Sequence, residues 1–263
     1  MGALHEGHVS LVRRAREWVG PEGVVMVSIF VNPIQFDRVD DLRNYPRPLE
    51  ADLRICRDLG VDVAFVPEDG GMYEVDHSVV VTENSLSRGL CGGVRPGHFD
   101  GVCTVVLKLF LLTGCDGAVF GEKDFQQLAV IRRMVRDLDV PVEILACPTV
   151  REPDGLAMSS RNVRLTSDER ADAPRIQRVL REMAGMEMGP VELVERVRMG
   201  IEASGMARVD YVRVIDEDTL EEVDRLDRRA VLAVAVFYGG VRLIDHVVVG
   251  GRSENLKSWD SGE

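Results

Sequence analysis

The chain has 263 residues, 45% of them hydrophobic, enough for one large core or two modest ones. Its 32 Lys and Arg stand against 44 Asp and Glu, a net charge of -12, which argues against nucleic acid or an anionic membrane as partner and leaves anionic small molecules to local basic groups. The longest apolar runs, VVMVSIFV and VLAVAVFY, have strand length rather than membrane-spanning length, and we expect no signal peptide.

The five cysteines contain no CxxC pair, which fits buried thiols in a reducing cytoplasm better than a zinc site or a disulfide framework.

In chain order, the apolar spacing predicts a helix over residues 9–19 and a buried strand over 24–31, followed by the loop NPIQF. A helix over about 48–59, stopped by Gly60, leads to the strand VDVAFVP. A weaker strand SVVVT and the loop LCGGVRPGHFDG come next, then the buried helix VCTVVLKLFLL, the strand DGAVFG, the helix DFQQLAVIRRMVRDL and the strand VEILAC. This alternation implies an α/β fold, a Rossmann-like parallel sheet with helices on both faces and ligands at the carboxyl ends of its strands.

Near residue 150 the rhythm changes to a polar loop, helices over about 167–184 and 190–204, and strands at VDYVRVID, AVLAVAVFY and VRLIDHVVV, the last two joined by a Gly-Gly hairpin. We therefore expect a Rossmann-like domain over 1–149 and a smaller α+β lid domain over 150–263, with a frayed tail SENLKSWDSGE.

Five short segments could carry chemistry. In ALHEGHVSL, His5 and His8 stand at or just before a helix start, where free backbone N–H groups and the helix dipole favour an anion; the plain alternative is a pair of surface histidines. GEKDFQQ follows a strand and opens a helix, so Lys123 can reach a phosphate, while one of Gln126 and Gln127 faces solvent. MSSRN could clamp phosphate oxygens or be a Ser-rich turn. FVNPIQF puts Asn32 and Gln35 at a strand end, and RPGHF adds Arg95 and a His98 that, standing alone, is more readily structural than catalytic. Phosphate chemistry is the common denominator, without the P-loop, GxGxxG or GxSxG signatures of kinases, dehydrogenases or esterases.

In this order, MGALHEGH, FVNPIQF, RPGHFDGV, GEKDFQQL and DGLAMSSRN closely resemble the pantoate–β-alanine ligase family, part of the HIGH-motif adenylyl-transferring superfamily. The resemblance implies ATP-dependent, AMP-forming ligation of pantoate and β-alanine through a pantoyl adenylate, in the coenzyme A pathway. It places Met1, Gly2, Ala3, Leu4, His5, Glu6, Gly7 and His8 around ATP, with His8 as proton donor and His5 assisting at the phosphates. Gly121, Glu122, Lys123 and Asp124 form a second ATP segment, Lys123 on phosphate, and Val150, Met158, Ser159, Ser160 and Arg161 complete the nucleotide site. Gln35 and Gln127 hold pantoate, Gln35 also near β-alanine, and Mg²⁺ rides on the ATP phosphates with no metal site made by the protein itself. A cytoplasmic homodimer is the expected assembly.

Members of the family carry a central strand ending just before MGALHEGH, which this sequence does not show. A start site assigned too late, a shortened clone or a natural loss would each explain it, the first being preferred; the neighbouring strands should then present unpaired edges. Two other readings stand beside the ligase: another HIGH-motif nucleotidyltransferase, and a catalytically inactive dimerising or binding homologue.

Overall fold

The computed structural model describes residues 2–251. The Met1 assignment and the expected frayed tail lie outside the described residues.

The chain divides into two compact units. The first comprises the residues up to Pro153 together with Ala157–Val163; the second comprises Asp154–Leu156 and the chain from Arg164 onward. The division differs from the sequence expectation around the boundary: residues 150–153 and 157–163, expected with the second domain, belong by their contacts to the first unit, Met158–Arg161 among them. Met158 N–H donates to Val150 O at 3.0 Å and Arg151 bridges to Ala157, folding the segment back, while Ser160 and Arg161 are anchored by the distant Tyr45 and Asp41.

In the first unit, helix α1 (Glu6–Val19) is followed by strand β1 (Met26–Ser28), short helix α2 (Val39–Arg43), helix α3 (Leu49–Asp58) and strand β2 (Val63–Phe65). Next come short helices α4 (Asp69–Met72) and α5 (Leu90–Val94), helix α6 (His98–Thr113), strand β3 (Gly117–Gly121), helix α7 (Phe125–Asp137) and strand β4 (Glu143–Cys147). The parallel strands pair as β1 with β2 and β3 with β4, and among the described residues these are two separate ladders rather than one continuous sheet.

Helices α1 and α3 cover β1: Val12, Val25, Val27, Ile29 and Cys56 form one buried cluster, with Ala15 and Leu53 packed against it. The same α1 lies against β3, where Gly117 has no room for a side chain because a Cβ would stand 2.5 Å from the Trp18 ring. The end of α1 thus packs on the start of β3, while Leu11, nearer the helix start, lies by Gly121 at the strand's carboxyl end, which is where ligands bind in such folds.

Besides the earlier start of α1 and the shorter β1 and β2, three sequence expectations change. SVVVT forms no strand; Val79 and Val80 are exposed, so its β-branched residues have no buried face to pair them into a sheet. Helix α6 begins at His98 rather than near residue 102, because Gly97 takes a left-handed conformation (φ 76°) that starts the helix there. The helix expected over 167–184 breaks into α8 (Ser167–Asp172) and α9 (Arg175–Ala184) at Pro174, which has no N–H to continue the ladder.

The second unit completes with α10 (Pro190–Glu202) and an antiparallel sheet of β5 (Ala207–Asp216), β6 (Ala230–Tyr238) and β7 (Val241–Val249), in that order. The hairpin turns at Gly239 and Gly240, Tyr238 pairing with Val241, and Gly239 has φ 51° as a tight turn of this kind requires. α9 and α10 bury Ile176, Leu180, Leu193, Val197 and Ile201 against the sheet. Among the described residues no helix is long and apolar enough to cross a membrane.

Candidate active site

The start of α1 is organised by its two histidines. His5 is the N-cap; its Nδ1 accepts the Gly7 backbone N–H at 3.1 Å, and the Nδ1 of His8 accepts the His5 N–H at 3.2 Å. Because each Nδ1 is an acceptor, each neutral ring carries its proton on Nε2. Burial, followed by the neighbouring His5 ring, lowers the His8 pKa to about 3; burial and then Lys123 lower that of His5. Near neutral pH the pair therefore presents two uncharged Nε2–H donors at a helix N-terminus.

Gly7 makes this geometry possible, for a Cβ there would stand 2.9 Å from His5 Cε1. The loop before the cap is held by Asp52 of α3, only 1% exposed, whose two carboxylate oxygens accept the N–H groups of Ala3 at 2.8 Å and Leu4 at 2.7 Å. Ala3 is thereby kept at φ 52°, a conformation that alanine rarely adopts unaided.

At the end of β3, Gly121 hands over to a single 3₁₀ turn, Glu122–Asp124, that leads into α7. The Lys123 ammonium lies 3.8 Å from Asp124, and both residues act electrostatically on the histidine pair. Burial raises the Glu122 pKa. One step further the two glutamines separate. Gln126 is buried and fully engaged, donating to Leu86 O and Gly89 O at 2.8 Å and accepting from Cys91 N–H at 2.9 Å. Gln127 is half-buried, with its amide available.

The segment Met158–Arg161 meets the same region. A Cβ on Gly7 would lie 3.7 Å from Met158 Cβ, and Val150 accepts the Met158 N–H. The Ser159 hydroxyl accepts the Arg161 N–H, Ser160 bonds the Tyr45 hydroxyl at 3.0 Å, and Arg161 pairs with Asp41 at 2.9 Å while its guanidinium lies over the Tyr45 ring. Burial opposes the Arg161 charge, but Asp41 more than offsets it and the pKa rises.

Gln35 ends the 3₁₀ turn Pro33–Gln35. Its carbonyl accepts from His98 Nδ1 at 2.8 Å and from Arg95 at 3.3 Å, so His98 carries its proton on Nδ1 and its Nε2 accepts from Arg95 at 3.1 Å. Burial, then Arg95, brings the His98 pKa down to about 4. With both nitrogens spent on the scaffold, His98 is a structural histidine.

His5, His8, Gly121–Asp124 and Met158–Arg161 are thus drawn towards one helix start, while Gln35 and Gln127 stand on the adjoining turn and on α7. Sequence reasoning missed Asp52, Asp41 and Tyr45. Asp52 had a readable signal: Leu49, Asp52, Leu53 and Cys56 fall on one face of α3, and a carboxylate on an apolar face needs partners. Among the described residues no three His, Cys, Asp or Glu side chains come together as a metal cage.

Parallel α/β ladders with basic and imidazole donors at their carboxyl ends define an α/β enzyme acting on an anionic ligand. Residues 1–248 match the family model described as pantoate-beta-alanine ligase, and the chain belongs to that family. The chain is 51% identical to a pantothenate synthetase of Chelativorans sp. (strain BNC1) over 95% of its own length and 88% of that protein's.

Among solved structures, it is similar to the pantothenate synthetase of Thermus thermophilus, with TM-score 0.89 and 44% identity, covering 95% of this chain and 91% of that one. It is also similar to a Francisella tularensis pantoate-beta-alanine ligase complexed with beta-gamma ATP and beta-alanine, with TM-score 0.79 and 36% identity, covering 94% and 87%. This likeness does not support the inactive homologue.

Proposed function

We propose that this site ligates pantoate to β-alanine at the expense of ATP, as the family membership supports. Pantoate's carboxylate oxygen attacks the ATP α-phosphorus and pyrophosphate leaves; the β-alanine nitrogen then attacks the acyl carbonyl, AMP leaves with the carboxyl oxygen it gained, and the amine proton passes to solvent or phosphate. The observation that carries the reading is the neutral histidine pair, with Nδ1 atoms tied to backbone and Nε2–H donors left over, beside Lys123 at a helix N-terminus.

Adenylyl transfer needs positioned donors where phosphate charge builds up, not a protein nucleophile. His8 and His5 serve as hydrogen-bond donors rather than as an imidazolium acid, a change from the proton-donor role expected for His8. Lys123 supplies fixed positive charge. Gly2–His8, Gly121–Asp124, Val150 and Met158–Arg161 surround the nucleotide, and Gln35 and Gln127 hold pantoate. ATP enters as its Mg²⁺ complex, the metal carried by the phosphates. The Francisella tularensis complex with beta-gamma ATP and beta-alanine supports these two ligands. A cytoplasmic homodimer completes the proposal.

The test is a pyrophosphate-release assay on the purified chain with ATP, Mg²⁺ and pantoate, followed by AMP and pantothenate after β-alanine is added. Pyrophosphate dependent on pantoate, and AMP release dependent on both acids, is expected. Turnover that ignores pantoate would overturn the reading.

A further inference from the structure

Gln35 belongs to a hydrogen-bond chain whose polarity is set at its far end. Asn32 is 3% exposed, and its Nδ2 lies 3.0 Å from Gly101 O and 3.0 Å from Gln35 Oε1. A backbone carbonyl only accepts, so the Asn32 atom facing it must be the NH₂ group. The second N–H of that group is then committed to Gln35, whose facing atom must be oxygen.

Tyr73, just after α4, closes the chain by donating its hydroxyl proton to Asn32 Oδ1 at 2.9 Å. That bond satisfies the remaining Asn32 acceptor and holds in place the orientation that the Gly101 carbonyl imposes. The backbone reinforces the register. Gly101 lies so close to Gln35 that a Cβ would stand 2.7 Å from Gln35 Cα, and the Gln35 carbonyl is pinned by His98 and Arg95. Tyr73 itself is held among Phe30, His77 and Lys108, the Lys108 ammonium 5.5 Å from its ring centre. Burial suppresses ionisation of the hydroxyl, pushing its pKa up to about 12, so it remains a donor at any working pH.

We infer that Tyr73 is a positioning residue: through Asn32 it fixes the Gln35 amide with its oxygen inward, so that Gln35 meets its substrate only as an N–H donor. The group read by Gln35 is therefore an acceptor, a carboxylate or hydroxyl oxygen, and not an ammonium. This deepens the ligase reading and rests on it for the identity of the substrate.

A comparison of Gln35→Glu with Gln35→Met at neutral pH measures the polarity. Both side chains match glutamine in length; the carboxylate can still accept from Asn32 but has nothing to donate outward, while Met is silent. The pantoate KM is expected to rise more in Q35E than in Q35M, with a rise of about a hundredfold in Q35E.

The opposite order would show that Gln35 presents its oxygen and would overturn the inference. Tyr73→Phe measures the relay. Loss of one hydrogen bond should raise the pantoate KM about five- to tenfold, with kcat and the ATP KM within about twofold. Equal rises in both KM values would mark general loop damage and defeat the positioning role, as would no change at all. Should Y73F fail to fold, the Q35E and Q35M pair still decides the polarity. Failure of the ligase reading is separate, because it would appear as wild-type protein that releases no pantoate-dependent pyrophosphate.

Discussion

The backbone N–H of His5 donates to Nδ1 of His8 at 3.2 Å, with the two ring centres 4.1 Å apart. This contact fixes the His8 tautomer, while burial, followed by the neighbouring His5 ring, keeps the ring neutral down to about pH 3. The folded pKa lies below the ordinary value of about 6.5, so protonation of the folded ring occurs only in strong acid, and stability from this group is present above about 6.5 and lost as pH falls towards 3. Two outcomes are expected for adenylate formation. His8→Ala falls at least about a hundredfold, the scale of a lost transition-state donor, whereas His8→Gln, which keeps an N–H near the Nε2 position, loses less. The wild-type rate should show no inflection near pH 6.5 that disappears in the Gln variant; such an inflection would restore His8 as a titrating acid.

Gly7→Ala tests the same geometry without removing a functional group. Alanine is intrinsically better than glycine in a helix, but its Cβ would meet the His5 ring at 2.9 Å and turn it off the Gly7 N–H. The expected result is a melting temperature close to that of wild type and pyrophosphate release lowered at least about tenfold, since misplacing a donor by about 1 Å is costly. Unimpaired release would show that the His5 ring has no part in adenylation.

Adjacent glutamines should respond in opposite ways. Gln126→Ala removes the side chain that receives the Cys91 N–H and donates to the Leu86 and Gly89 carbonyls, so a stability loss of about 1–3 kcal/mol is expected by denaturant titration. Gln127→Ala should leave stability within about 0.5 kcal/mol and raise the pantoate KM more than the ATP KM. Stable Q126A protein with weakened pantoate binding would exchange the two assignments.

How far the sequence could be read depended on where the determining contact lies. The histidines near the start of a helical stripe were legible, but their capping of α1 was not foreseen although its bonds span only two and three residues. The lengths of β1 and β2 were overestimated, and SVVVT was read as a strand, because β-branched runs report local preference while a strand exists only where another pairs with it. The sequence favours a structural role for His98 and leaves Gln126 undecided against Gln127, but names no partner for either. Their partners, Gln35 and the residues 86–91, are remote along the chain, so only the fold shows both side chains to be spent on scaffolding. The attachment of Met158–Arg161 to the first unit was hidden for the same reason, its anchors Asp41 and Tyr45 lying over a hundred residues upstream.

Asp52 supplies the last test, because its carboxylate joins α3 to the segment leading into the histidine pair. Two backbone donors, Ala3 and Leu4, converge on two oxygens in a nearly solvent-free position. Asp52→Asn keeps the shape but replaces one acceptor by an NH₂ group, which confronts a backbone N–H with another donor. The cost of the stranded donor is about 1–3 kcal/mol, and Ala3 loses the contact that holds its left-handed conformation. The expected outcome is faster amide hydrogen exchange at Ala3 and Leu4 and a higher ATP KM, with the second unit's exchange unaltered. Protected Ala3 and Leu4 amides in D52N would mean that the segment is held by something other than this carboxylate.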